Sequence, residues 1–106
     1  MTHILDELFE IIESRKNAAA EDSYVASLLK KGTPKIAQKV SEESVEAIIE
    51  AVQHNQEAFK QESADLLFHL MVLWADQGIT PQDVFKVLEG RMGTSGHEEK
   101  RRRTER

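Results

Sequence analysis

Apolar residues return every three or four positions at the start of the chain. Leu5, Leu8, Phe9 and Ile12, followed by Arg15, predict an amphipathic helix over about 5–16. After a looser stretch, 17–22, Ser23 or Asp22 opens a short helix that ends at Gly32, a residue free to take the left-handed conformation. Thr33-Pro34 reads as N-cap and first helical residue, because proline loses no useful donor there. It opens a helix running to about His54. Asn55 caps another over 55–77, closed by Gly78. Thr80-Pro81-Gln82-Asp83 repeats the cap-then-proline device and opens a last helix ending near Arg91, before Gly93-Thr94-Ser95-Gly96 breaks the regularity.

Composition agrees with an all-α protein: of 106 residues, 40% are hydrophobic and 31% charged, with 6% aromatic and two prolines. That length allows one compact helical domain, placed at 1–92, and leaves 93–106 as a C-terminal tail. No cysteine is present, so any metal site must use oxygen or imidazole ligands, which favours a hard cation. Net charge is −5, but five basic residues and one acid give 100–106 a net +4 and leave −9 on the rest. An acidic body argues against nucleic-acid binding, while the basic tail is placed either to contact an anionic substrate or to be simply solvated. The first residues lack a basic region followed by an apolar run, and no later run reaches membrane-spanning length, so a cytoplasmic protein with no membrane association is expected.

Candidate chemistry lies on the two long helices. In the first, Glu42, Glu43, Glu46 and Glu50, with Lys39 among them, share an arc about 100° wide. Its apolar stripe, from Ile36 to Val52, is too wide for one neighbour, so burial on two sides is expected. The second long helix is apolar nearly all round, yet Glu62, Asp65 and His69 fall on one face, which Asp76 continues. Carboxylates in such a helix need cations, hydrogen bonds or solvent, since burying them unpaired costs several kcal/mol. Antiparallel packing about the His54-Asn55 turn would bring Glu43 and Glu46 to Glu62 and Asp65. Four converging carboxylates suit magnesium, with manganese as its substitute. His69 reads as a hydrogen-bonded core histidine, and Phe68, Met71 and Trp74 as core. Lys39 is placed either to touch phosphate or to pair with Glu43, and Lys30 and Lys31 read as surface charge.

Glu43-x-x-Glu46 followed across a helix turn by Glu62-x-x-Asp65 resembles the metal-binding signature of the all-α nucleotide pyrophosphatases. Within that superfamily the chain is most similar to the phosphoribosyl-ATP pyrophosphatases, through Ser23-Tyr24-Val25, Lys35-Ile36, Lys39-Val40, Glu42-Glu43, Glu46 and the run from Glu62 to Leu70. The closing Arg91-Met92-Gly93-Thr94-Ser95-Gly96, with Glu99-Lys100 and Arg103, carries the resemblance to this branch. His97, Arg101 and Arg102 depart from its usual pattern.

The resemblance implies a homodimer and hydrolysis of phosphoribosyl-ATP to phosphoribosyl-AMP and pyrophosphate, the second step of histidine biosynthesis. It implies that Glu43, Glu46, Glu62 and Asp65 hold magnesium, with Glu42 as a further ligand or outer acid. Arg91, Ser95, Gly96, Lys100 and Arg103 become candidates for the phosphoribosyl phosphate, since a glycine bend offers backbone donors and arginine a bidentate fork. A second long helix too apolar for three short neighbours also points to a four-helix core shared by two chains. Three other readings remain. A house-cleaning enzyme for free nucleotides would need the same carboxylates without the closing motif. A di-iron bundle would need Glu-x-x-His pairs, whereas His69 follows Asp65 by four and not Glu62 by three. A helical dimerisation module would use the acids only as solubilisers.

Overall fold

The computed structural model describes residues 3–92 together with Arg101 and Arg103. Five α-helices follow one another, and no strand occurs among the described residues: α1 (Ile4–Ser14), α2 (Tyr24–Lys31), α3 (Thr33–Val52), α4 (Gln56–Gln77) and α5 (Pro81–Arg91). The all-helical expectation holds.

Helix ends follow the polar punctuation of the sequence, with two departures. Ser23, Asn55 and Thr80 cap α2, α4 and α5 through their side chains. Thr80 does so within a full capping box, in which Asp83 answers by accepting from the Thr80 N–H at 2.9 Å. The first departure is that Thr33 is not a cap. Gly32 occupies that position, and Thr33 is already helical, with its hydroxyl donating to Asp76 Oδ2 at 2.5 Å and not serving as a backbone cap. The second is at Gly32 itself: its φ is positive, but ψ of 176° puts it in an extended region that is nearly glycine-only, not in the left-handed helical one. The start of α1 carries a cap the periodicity did not disclose, His3 Nδ1 accepting from the Leu5 N–H at 3.1 Å.

α3 and α4 form the most extensive helix pairing. Only Gln53, His54 and Asn55 separate them, so they run antiparallel. His54 turns the chain with φ of 58°, a left-handed value that histidine tolerates better than most side chains. The hydrophobic core lies where α1 and α2 close over this hairpin: Phe9 and Ile12 from α1, Val25 and Leu28 from α2, Ile36 from α3, and Met71, Val72 and Ala75 from α4. Ile12, Ile36, Met71 and Val72 are completely buried, and each contributes about 1.5–3 kcal/mol by leaving water. Phe68 and Trp74 pack at its margin. α5 rests chiefly on α1.

The expectation of burial on two sides of α3 is not met within the chain. α3 buries Ile36, Glu43 and Ala47, whereas Val45, Ile48, Ile49 and Val52 are exposed. On α4, Phe59 and Leu67 are exposed as well. Among the described residues no helix is long and apolar enough to cross a membrane.

Candidate functional site

The α3–α4 hairpin places acidic residues of one helix opposite those of the other, because Glu43 and Glu62 stand at comparable distances from the turn at residues 53–55. Glu43, Glu62 and Asp65 each present a carboxylate oxygen, and these oxygens all lie within 4.8 Å of one another. Glu43 is buried, Glu62 partly buried and Asp65 exposed, so the group opens from the helix interface toward solvent. One oxygen of Glu43 and one of Glu62, Oε2 in each, are buried without a hydrogen-bond partner. Orphaned carboxylate oxygens are costly and call for a proton or a cation.

Glu46 adjoins this group from the next turn of α3. Its carboxylate, sharing a hydrogen bond with Glu62, is the leading cause that pushes Glu62 up to about 7. Burial, the charge of Glu46 and then the carboxylate of Glu43 add to it. Glu46 and Glu62, with Ile49 and Glu50, line a cavity of about 230 Å³. Glu43, Glu62 and Asp65, with Glu46 acting on Glu62 beside them, all offer hard oxygen donors, two of them with unsatisfied oxygens, and such a group fits a hard divalent cation.

Glu42 turns elsewhere. Its Oε1 accepts from Gln38 Nε2 at 2.9 Å and its Oε2 lies 3.5 Å from Lys39 Nζ, and these two contacts, Gln38 first, hold its carboxyl below the ordinary range. Lys39 Nζ also lies 3.9 Å from Glu43 Oε1. Its ammonium is held above its ordinary value by the nearby Tyr24 first and then by Glu42 and Glu43, with desolvation opposing them. Of the two roles left open for Lys39, pairing with Glu43 is the one observed. Asp76, expected to extend the acidic face, instead accepts from Thr33 and from Gln77 at the far end of the hairpin.

Arg91 is the exposed last residue of α5, whose packing is chiefly with α1, and Arg103 is exposed. Ser95, Gly96 and Lys100 lie outside the described residues.

His69 is a buried, hydrogen-bonded histidine, as expected. Its Nδ1 lies 2.8 Å from the Asp65 carbonyl oxygen and its Nε2 lies 2.8 Å from the Tyr24 hydroxyl. Tyr24 is the partner that residue spacing did not reveal. It precedes His69 by 45 positions and reaches it only because α2 packs on α4. The local signal available was His69 itself, a polar side chain in an apolar helix that had to find an acceptor and a donor.

A family model described as phosphoribosyl-ATP pyrophosphohydrolase matches residues 5–92. The phosphoribosyl-ATP pyrophosphatase of Azospirillum brasilense is 54% identical over 100 residues, covering 94% of this chain and 90% of that protein. Those of Geobacter sulfurreducens and Sulfolobus acidocaldarius are 48% identical over 102 residues and 47% over 90. They are covered over 94% and 95% of their own lengths, and cover 96% and 85% of this chain.

Proposed function

This chain belongs to the phosphoribosyl-ATP pyrophosphohydrolase family, and from that premise we propose that it hydrolyses phosphoribosyl-ATP to phosphoribosyl-AMP and pyrophosphate, in the second step of histidine biosynthesis, with magnesium as its metal. The observation that carries the reading is the meeting of Glu43, Glu62 and Asp65 within 4.8 Å, with two carboxylate oxygens buried and unpartnered. Relatives that cover nearly the whole chain bear that name.

In this reading Glu43, Glu46, Glu62 and Asp65 hold the ion, with Glu42 outside them, and manganese can replace magnesium. The bound cation supplies charge neutralisation at the reacting phosphorus, orientation of the polyphosphate and acidification of water. The chain's own groups do the rest. A carboxylate of the Glu43–Glu46 pair accepts the proton of the attacking water as the bond between the first and second phosphates breaks. Lys39 pairs with Glu43 and adds positive charge beside the polyphosphate. Arg91, Ser95, Gly96, Lys100 and Arg103 bind the phosphoribosyl phosphate.

The exposed Val45, Ile48, Ile49, Val52, Phe59 and Leu67 are the apolar surface of the hairpin that a second copy covers, making a four-helix core shared by a homodimer. Pyrophosphate release from phosphoribosyl-ATP, with and without magnesium and beside ATP and dUTP, tests the reading. Magnesium-dependent release from phosphoribosyl-ATP alone is expected. Release chiefly from a free nucleotide would move the chain to a house-cleaning role with the same carboxylates.

A further inference from the structure

The Tyr24–His69 pair takes no part in the carboxylate cluster or in the phosphate contacts named above. Its hydrogen-bond directions can be assigned. The Asp65 carbonyl oxygen can only accept, so His69 Nδ1 carries the proton and donates to it. In that tautomer Nε2 is an acceptor, and the Tyr24 hydroxyl donates to it. The phenol has then committed its single proton. What remains on the oxygen toward solvent is acceptor capacity.

The ring is held as firmly as the hydroxyl. It meets His69 edge to face at 5.7 Å and 86°, and lies nearly parallel to Phe68 at 6.4 Å and 17°. Yet Tyr24 is 53% exposed. An exposed tyrosine ordinarily keeps its rotamer freedom, whereas this one has lost it on folding and offers a fixed surface to whatever binds beside it. Tyr24 is the first residue of α2, and His69 stands one turn beyond Asp65 on α4. Lys39, on whose ammonium Tyr24 is the largest influence, is 3.9 Å from Glu43. Tyr24 is tied through His69 to the backbone of Asp65, a member of the acidic cluster, and the fixed ring borders that cluster.

Resting on the functional reading above, we propose that Tyr24 is a substrate-binding residue whose phenolic oxygen accepts a hydrogen bond from a ribose hydroxyl of the nucleotide, with its ring as a wall for the nucleoside and His69 as the residue that positions it. A phosphate oxygen is the wrong partner, since the phenol has no proton left to give it. A ribose hydroxyl is the right one: cleavage beyond the first phosphate puts the attached ribose next to the carboxylates, within reach of their border.

The experiment measures kcat and KM for phosphoribosyl-ATP at saturating magnesium in the wild type, Tyr24→Phe, His69→Leu and the double variant, each checked for folding by circular dichroism. Tyr24→Phe keeps the ring and the Phe68 contact and removes only the hydroxyl. Its kcat/KM is expected to fall about three- to tenfold, carried mainly by KM, the range of one neutral hydrogen bond. The magnesium concentration for half-maximal rate should stay put. If His69 acts through Tyr24, the double variant is no worse in KM than Tyr24→Phe alone. A Tyr24→Phe protein with a lowered melting temperature and wild-type KM has lost only a structural contact, and overturns the proposal. Separate losses that add in the double variant overturn the positioning role of His69. A wild type that releases no pyrophosphate from phosphoribosyl-ATP overturns the functional reading, and this contact with it.

Discussion

Glu43 and Glu62 face each other across the α3–α4 interface, and each keeps one carboxylate oxygen buried with no hydrogen-bond partner. If that arrangement exists to hold a cation, Glu62→Gln should lower magnesium-dependent turnover by at least about a hundredfold, the upper end for groups one step removed from a metal. In the absence of metal the same variant should melt at a higher temperature than the wild type, because it removes one of several crowded negative charges. Loss of turnover together with a lower metal-free melting temperature would mean that the carboxylate is structural.

The raised Glu62 value makes metal-free stability depend on pH in a definite direction. Glu62 moves from an ordinary 4.5 to about 7 in the folded protein, so between those limits the fold holds a proton that the unfolded chain releases. The stability this group contributes is complete below about pH 4.5, declines through the interval and is gone above about pH 7. Melting temperatures in chelator across that window, wild type minus Glu62→Gln, isolate the group, and the difference should fall steadily as pH rises. A flat difference would remove the crowding argument.

Gly32 and Gly78 separate backbone strain from steric clash. An added Cβ at Gly78 meets nothing within 4 Å, and at Gly32 only Pro34 Cδ at 3.9 Å, an ordinary contact. Gly78→Ala in the left-handed region should cost about 1–2 kcal/mol. Gly32→Ala, at φ 94° and ψ 176°, should cost more, up to about 3 kcal/mol. Denaturant titration of both variants gives the order directly, and the reverse order would contradict it.

The exposed face of α3 gives a test of assembly. Ile48 is 60% exposed in the single chain, so Ile48→Glu should leave the monomer's fold intact while placing a charge in the proposed shared core. Sedimentation is expected to show a two-chain mass for the wild type and a one-chain mass for the variant. A wild type that sediments as a single chain would end the shared-core proposal.

The helical architecture was legible because its signals are local: the three- and four-residue returns of Leu5, Leu8, Phe9 and Ile12, and the polar punctuation at Ser23, Asn55 and Thr80, act within a turn or two of where they stand. The facing of Glu43 with Glu62 was legible for a related reason, since a short turn converts sequence distance from the bend into height along the hairpin. What escaped depended on partners far along the chain. Thr33 looked like a cap because nothing nearby shows that Asp76 takes its hydroxyl. Tyr24 had no role beyond the Ser23-Tyr24-Val25 motif because its partner His69 lies 45 positions away. Glu42 is the exception: it sat in the acidic arc as favourably as Glu43, and Gln38 and Lys39, only one turn away, draw it aside.

The hairpin is fastened at both ends, by the Asn55-capped turn and by Thr33 to Asp76. One residue added between Asn55 and Glu62 would swing the Glu62 carboxylate about 100° away from Glu43, or tear Asp76 from Thr33. Side chains along 34–75 can vary wherever chemistry permits, but insertions and deletions there cannot be absorbed. The length of that segment is itself part of the site.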